Sequence, residues 1–489
     1  MTNKKVLKNS LIYTFNNLLL KAFNFLLLPL YTAFLTPVDY GITNLLSSFS
    51  QVTTYLIAFS LYSAVIRFYA DLKEDRERLK TFYGTIICFV FLSGVVFSLL
   101  AYLFQGLLEK YLFEGISFYP TVFMALIALL FTSIYTIYQD ILKGMQKAKK
   151  SAFVSIAYFF LQVLLNVYFV AVLRWGANGV LLSLLISSTL ASIWMLFDLK
   201  RNNLFRFCID GPLLKEALSY SIPIIPHNLS TNIAQFVSRV FINGTSSLAN
   251  VGLFSLASRF GSLADMVQNS VNMAFQPWFF EQMKKRENLN TKHIVDLSEV
   301  LLWLYSVIFL GLALYSQELI ALMATQSYQA SWMLVPLMVA TFAIKTPYYF
   351  YVNILFYYKK ASKYIFLATV SSSLVNVFLS YFLIREYGMY GSVAADAISM
   401  VIRVGVVVYL ANKFSKIGYS LFQFGKQILL VLLFMVFGLY FSYTRFATSV
   451  TLGNFVYKTV VLLVFLSIAL LANKGSIKQT VTILWKKKR

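Results

Sequence analysis

Apolar stretches of about twenty residues recur from one end of this 489-residue chain to the other, and about twenty residues is what a helix needs to cross roughly 30 Å of hydrocarbon. Hydrocarbon offers no partner to an unpaired backbone N–H or C=O, so a crossing segment is either a helix or a strand of a closed barrel. The runs are long and lack period-two alternation, which excludes the barrel. Composition agrees: 59% of the residues are hydrophobic and 12% charged, against about half and a quarter in a soluble domain. The chain is therefore expected to be an all-α polytopic membrane protein of about fourteen transmembrane helices. They are placed near residues 10–35, 41–66, 82–104, 119–142, 151–173, 177–198, 219–243, 251–281, 294–316, 330–357, 364–384, 389–411, 427–443 and 455–473.

Lys4, Lys5 and Lys8 precede the first run, as in a signal peptide, but the run continues to Leu35 with no small-residue cleavage site, so it is read as the first span. Cys88 and Cys208 form neither a CxxC pair nor a disulfide framework. His227 and His293 are too far apart in sequence to make a metal motif. There is no phosphate-binding glycine loop, triad signature or nucleotide-binding domain. No catalytic residue, metal or cofactor is expected, and the chain is not read as an enzyme.

A net charge of +23 would point to nucleic acid in a soluble protein; here the position of the charges decides. Alternate loops separate the basic residues cleanly. The two termini and the loops near 67–80, 143–150, 199–218, 282–293, 358–363 and 412–426 hold 32 Lys and Arg. The opposite loops hold four, Lys110, Arg174, Arg385 and Arg445. The positive-inside rule then places both termini in the cytoplasm. The basic tail Lys486 to Arg489 is expected to lie against anionic membrane lipid, and no nucleic-acid partner is inferred.

The chain also matches itself at a spacing near 211 residues. Ser10 and Asn17 correspond to Ser221 and Asn228, and Val38-Asp39-Tyr40-Gly41 to Ala249-Asn250-Val251-Gly252. Lys147-Ala148 answers Lys360-Ala361, Asn166-Val167 answers Asn376-Val377, and Gly176-Ala177-Asn178-Gly179 answers Gly388-Met389-Tyr390-Gly391. Each copy holds six spans, an even number, so the repeat is parallel and its axis runs along the membrane normal. This divides the chain into an N-lobe over 1–215, a C-lobe over 216–412, and a closing pair of helices with the tail over 413–489. Transporters built this way place substrate between their halves.

An ionisable side chain at membrane depth is costly, so those present should face a partner or a wet cavity. The assigned spans contain Lys21, Arg239, Arg259, Asp265, Lys345, Asp396 and Arg403, with Lys458 near a span end and expected to snorkel to the interface. Helical spacing groups the polar residues into stripes. Tyr13, Asn17, Lys21 and Asn24 share a face, as do Asn228, Asn232, Gln235 and Arg239. Ser258, Ser262, Asp265, Asn269, Asn272 and Gln276 form a third stripe beside Arg259, and Ser392, Asp396, Ser399 and Arg403 a fourth. The alternative to a wet cavity is internal pairing, Asp265 with Arg259 and Asp396 with Arg403. Pairing leaves an excess of three positive charges, which a diphosphate ligand would match. The substrate-binding set is thus read as Lys21, Arg239, Arg259, Lys345, Arg403, Asn17, Asn24 and Gln235, with Asp265 and Asp396 assigned to coupling. Tyr348, Tyr349 and Tyr351 are read as interfacial belt or packing, with stacking on sugars the rival role. Pro29, Pro223, Pro226 and Pro347 are expected to bend their spans.

Thr36-Pro37-Val38-Asp39-Tyr40-Gly41, Tyr220-Ser221-Ile222-Pro223, Ser238-Arg239-Val240-Phe241-Ile242 and Val251-Gly252-Leu253-Phe254-Ser255, in a six plus six plus two order of spans, resemble the Wzx-type polysaccharide flippases. These belong to the multidrug/oligosaccharidyl-lipid/polysaccharide superfamily. In the family pattern an Asp often precedes the seventh-span Arg; Ser238 stands there, which removes the basis for a local ion pair to Arg239. The resemblance implies two six-helix lobes in the bacterial inner membrane that carry a polyprenyl-diphosphate-linked oligosaccharide outward by alternating access. It also implies a polysaccharide polymerase and glycosyltransferases as partners, with the last two spans flanking the lipid tail. A cation-coupled multidrug antiporter of the same superfamily is the nearest rival, and a membrane glycosyltransferase or polymerase a distant one. The positive excess at depth disfavours the first, and the absence of a large extracytoplasmic loop the second.

Overall fold

The structure is a computed structural model that describes residues 3–284, 291–358, 361 and 364–473. The basic tail lies outside the described residues, as do Lys285, Arg286, Lys359, Lys360 and Lys363 of the basic loops and the side chains of Lys4, Lys5 and Lys8. All regular structure among the described residues is helical. The chain folds as two compact units, residues 1–252 and 253–489.

The first unit holds α1 (Asn3–Leu26), α2 (Leu28–Phe34), α3 (Pro37–Ile57), α4 (Leu61–Leu72), α5 (Arg76–Leu103), α6 (Gln105–Tyr111), α7 (Phe123–Gly144), α8 (Ala148–Asn166), α9 (Gly176–Arg201), α10 (Gly211–Ser221) and α11 (Ile225–Thr245), and the first turn of α12 (Leu248–Lys284). Its centre is α7, packed by α9, α4, α5 and α3, with Ala128, Ile137, Tyr138, Ile141 and Leu142 wholly buried. Breaks fall where the sequence removes helix hydrogen bonds. A turn at Leu27 just ahead of Pro29 separates α1 from α2, and a short 3-10 segment, Ile222–Ile224, carrying Pro223 separates α10 from α11. Phe59 and Ser60 adopt positive φ, and α4 leaves α3 at 45°.

The second unit holds the rest of α12, α13 (Lys292–Leu314), α14 (Ser316–Met323), α15 (Val335–Tyr357), α16 (Ile365–Phe414), α17 (Leu421–Thr444) and α18 (Leu452–Ala472). α15 packs along α16 and against α13, which in turn carries α17 and α18. The closing pair is therefore part of this unit. The boundary between units falls within α12, later than the 215/216 division expected from the repeat, because α11 packs on α3.

Ten described helices, or eleven with the bent pair α3–α4, are long and apolar enough to cross a membrane. One of them, α16, would be about 75 Å long if straight, more than twice a bilayer core. Gly388 divides it with φ 54° and ψ −132°, outside the helical region. α11 and α12 fall short because their polar stripes dilute the apolar character. The expected count of fourteen thus rests on taking α11, α12 and both halves of α16 as spans by their place in the repeat.

The repeat is visible in local conformation. Thr36 caps α3 by accepting from the Asp39 N–H at 3.1 Å while the Asp39 carboxylate accepts from the Thr36 N–H, a reciprocal cap. Its counterpart Ser247 caps α12 by accepting from the Asn250 N–H at 3.2 Å. Gly176 and Gly388 both have φ 54°. Gly41 on α3 and Gly252 on α12 meet where these helices begin. A Cβ on Gly41 would overlap the Leu248 carbonyl, and one on Gly252 the Pro37 carbonyl. Leu248 follows Pro37, and Gly252 follows Gly41, by the same 211 positions, so the contact is made twice in the same way.

Candidate functional site

In the first unit, α1 is fixed through Asn16, which is buried and donates from Nδ2 to the Ser155 hydroxyl of α8 at 2.9 Å. Successive helical residues are 100° apart, so Asn17, Lys21 and Asn24 lie off that face, and all three are exposed. Asn24 Nδ2 donates to its own helix at Leu20 O, 2.9 Å. Lys21, near the middle of the first candidate span, Leu11–Phe34, forms no ion pair with a described residue. On α11, Asn228 Nδ2 donates to the Ser60 hydroxyl at 3.1 Å and so fixes the helix against the break between α3 and α4. Gln235 is exposed. Arg239 is buried, and its guanidinium donates to the Gln235 carbonyl at 3.2 Å.

In the second unit the polar stripe of α12 meets α15. Lys345 Nζ lies 2.6 Å from Asp265 Oδ1. The same oxygen accepts from the Tyr349 hydroxyl at 3.2 Å, and Asp265 Oδ2 accepts from Asn269 Nδ2 at 2.9 Å. The Tyr349 hydroxyl is also 3.1 Å from Asn269 Oδ1. Lys345 Nζ sits 5.1 Å from the Tyr349 ring centroid and 5.6 Å from that of Phe342, within cation–π range. Next along the helices, Gln268 Nε2 donates to Thr346 Oγ1 at 2.9 Å, and Asn353 Nδ2 to Asn272 Oδ1 at 2.8 Å. Asp265 keeps 33% of its side chain exposed and Lys345 14%. Arg259, one turn and a half earlier on α12, is exposed and makes no ion pair with a described residue.

The alternative of an Asp265 pair with Arg259 is not what forms: the partner is Lys345. Six residues along a helix amount to a rotation of about 240°, which turns Arg259 and Asp265 to different sides. On α16, Asp396 Oδ1 accepts from Asn376 Nδ2 at 2.7 Å, and Arg403 Nε donates to the Ser372 hydroxyl at 2.8 Å. Arg403 lies within electrostatic reach of Asp265, Tyr348, Tyr349 and Asp396. Lys458 does not snorkel. It is fully buried, with Nζ 2.8 and 3.0 Å from the two Glu318 oxygens, because α18 packs inward on α13 and brings it over the start of α14.

Two residues not assigned to binding or coupling complete the second-unit cluster: Asn269, already on the polar stripe of Asp265, and Tyr349, read as belt or packing. Their signal was available: each stands four positions after a charged member, Lys345 and Asp265, and so on the same helical face. Tyr351 instead packs against Tyr419 and Phe424. Among the described residues no group of three or more His, Cys, Asp or Glu is placed to hold a metal ion.

The family model described as polysaccharide biosynthesis protein matches residues 6–283. A protein of the Lsg locus of Haemophilus influenzae is 21% identical over 389 residues, which is 76% of this chain and 90% of that one. Among solved structures, the lipid II flippase MurJ in an inward closed conformation superposes with a TM-score of 0.68 at 16% identity, over 95% of this chain and 99% of its own. An inward-facing multidrug resistance transporter of the MATE family and MOP superfamily gives a TM-score of 0.62 at 15% identity, over 80% and 94%. At these identities the two structures speak for the fold alone: the chain shares their helical architecture.

Proposed function

The chain belongs to the polysaccharide biosynthesis protein family, and from that premise we propose that it flips a polyprenyl-diphosphate-linked oligosaccharide from the cytoplasmic to the outer leaflet of a bacterial inner membrane, both its termini being cytoplasmic. The observation that carries the reading is Lys21, an exposed cation near the middle of a candidate membrane span with no ion-pair partner among the described residues. A bare ammonium in hydrocarbon costs several kcal/mol, so its position is favourable only where water and an anion can reach it. Arg259 on α12 is likewise exposed and makes no ion pair with a described residue. Diphosphate supplies the anion, Asn17, Asn24, Gln235, Arg239 and Arg403 supply further donors, and the lipid tail stays in the bilayer. Asp396 and Asp265 are the carboxylates through which transport would be coupled to an ion gradient or to cargo. Glycosyltransferases would build this cargo and a polymerase consume it.

The test is flipping of a labelled polyprenyl-diphosphate sugar in proteoliposomes. A charge-assisted contact to phosphate contributes about 1.5–3 kcal/mol, so Lys21→Gln should weaken affinity by about ten- to a hundredfold, and Lys21→Glu by more. Equal rates for wild type and Lys21→Gln at subsaturating substrate would remove the anionic cargo. A cation antiporter would then take its place.

A further inference from the structure

We propose that Asp265 is a built-in competitor for the anionic ligand: it occupies Lys345 while the site is empty and yields that lysine to the ligand's phosphate. The inference rests on the diphosphate reading and concerns how the same protein releases what it binds.

Three features of the cluster carry it. First, the pair is close and yet reachable, with Nζ 2.6 Å from Oδ1 and a third of the Asp265 side chain exposed. Second, the carboxylate does not depend on the lysine alone. If Nζ moves away, Oδ2 keeps the Asn269 amide at 2.9 Å and Oδ1 keeps the Tyr349 hydroxyl at 3.2 Å. Tyr349 can follow either state, since its one hydroxyl hydrogen has a second acceptor, Asn269 Oδ1, at 3.1 Å. Arg403 of α16 adds positive potential at Asp265. The exchange therefore strands neither partner, whereas most buried ion pairs cannot open without leaving a charge bare. Third, the pair is peculiar to one copy of the repeat. The equivalent positions of the first copy, Thr54 and the segment from Thr132 to Ile134, carry no charge, so the fold itself does not require an ion pair here.

A permanently free Lys345 would bind phosphate tightly and release it slowly. With Asp265 beside it, bound ligand always faces a rival for the same ammonium, which holds affinity down and speeds departure. Binding energy that is equal at entry and exit does not accelerate transport, and a competitor built into the site removes part of that excess.

The experiment titrates farnesyl diphosphate into the purified full-length protein in detergent, with farnesol and inorganic pyrophosphate as separate arms for tail and head group. Asp265→Asn should bind farnesyl diphosphate about tenfold more tightly than wild type, and Lys345→Gln more weakly. In the Lys345→Gln background, Asp265→Asn should change nothing, because the lysine it competes for is gone. In proteoliposomes Asp265→Asn should lower both the half-saturating concentration and the maximal rate. Asp265→Ser replaces Asp265→Asn if the latter is not monodisperse. No gain in affinity from either variant overturns the proposal and leaves the diphosphate reading intact. So does an equal gain in the Lys345→Gln background, which would mark simple repulsion between Asp265 and ligand. Wild type that binds farnesyl diphosphate no better than farnesol overturns both.

Discussion

The ammonium of Lys458 is fully buried and shared between the two oxygens of Glu318, with Gln317 Oε1 a third acceptor at 3.4 Å. The amide nitrogen of Gln317 is itself taken up by the carbonyls of Phe446 and Ser449 in the loop between α17 and α18. Among the described residues Glu318 has no other ion-pair partner to replace the lysine if it is lost. Lys458→Met should cost about 3–5 kcal/mol, while Lys458→Met combined with Glu318→Leu should recover most of it, because an apolar pair of similar volume avoids the desolvation of both ions. Thermal unfolding in detergent checks this, and equal midpoints for the single and double variants would count against it. Residue types and helical spacing singled out the ionisable groups, since each stands out in an apolar run. Their partners were another matter. Whether Asp265 met Arg259 or Lys345 depended on which face of α12 packs on α15, and Lys345 lies eighty positions away. Only pairs on one helix, such as Lys345 with Tyr349, are fixed by spacing.

At the scale of the element, the motif Thr36-Pro37-Val38-Asp39-Tyr40-Gly41 resolves into separate physical tasks. Thr36 and Asp39 satisfy orphan N–H groups at the start of α3, Pro37 occupies a position whose N–H would be unpaired in any case, and Asp39 Oδ1 also accepts from the Ala177 N–H at the start of α9, 3.0 Å away. Gly41 then admits the backbone of α12. Gly41→Ala and Gly252→Ala should each cost about 1–3 kcal/mol by overpacking this crossing. Together they should cost less than their sum, since the first alanine already parts the helices. Additive losses in unfolding midpoint, or a neutral effect at either glycine, would show that the close approach is not maintained in the membrane. The sequence pattern located the turn at Thr36 and the breaks by Pro29 and Pro223 because caps and prolines act locally. The expected second span, by contrast, runs on through the break at Phe59 and Ser60, and Pro347, expected to bend its span, lies inside α15 without dividing it. The pattern also set two spans apart between residues 384 and 389, where Gly388 leaves the helical region and divides α16.

For the molecule as a whole, the 32 to 4 imbalance of basic residues predicts sidedness. A cysteine at exposed position 73 should resist an impermeant thiol reagent in intact cells, and one at exposed position 449 should react; the reverse pattern would invert the topology. The repeat was legible at this scale because glycines, caps and loop lysines recur at one spacing against an apolar background in which most residues are interchangeable. The compact units 1–252 and 253–489 are a separate matter, since they follow from which helices pack together, and α11 joins α3. The Gly41 and Gly252 crossing is reciprocal. Each glycine faces the backbone that precedes the other, Pro37 for one and Leu248 for the other, which is the reciprocity of an isologous contact. Two copies of one such segment would meet here through a single glycine position, and any change there would strike both sides at once; in this chain the two glycines are separate positions, so either can change alone.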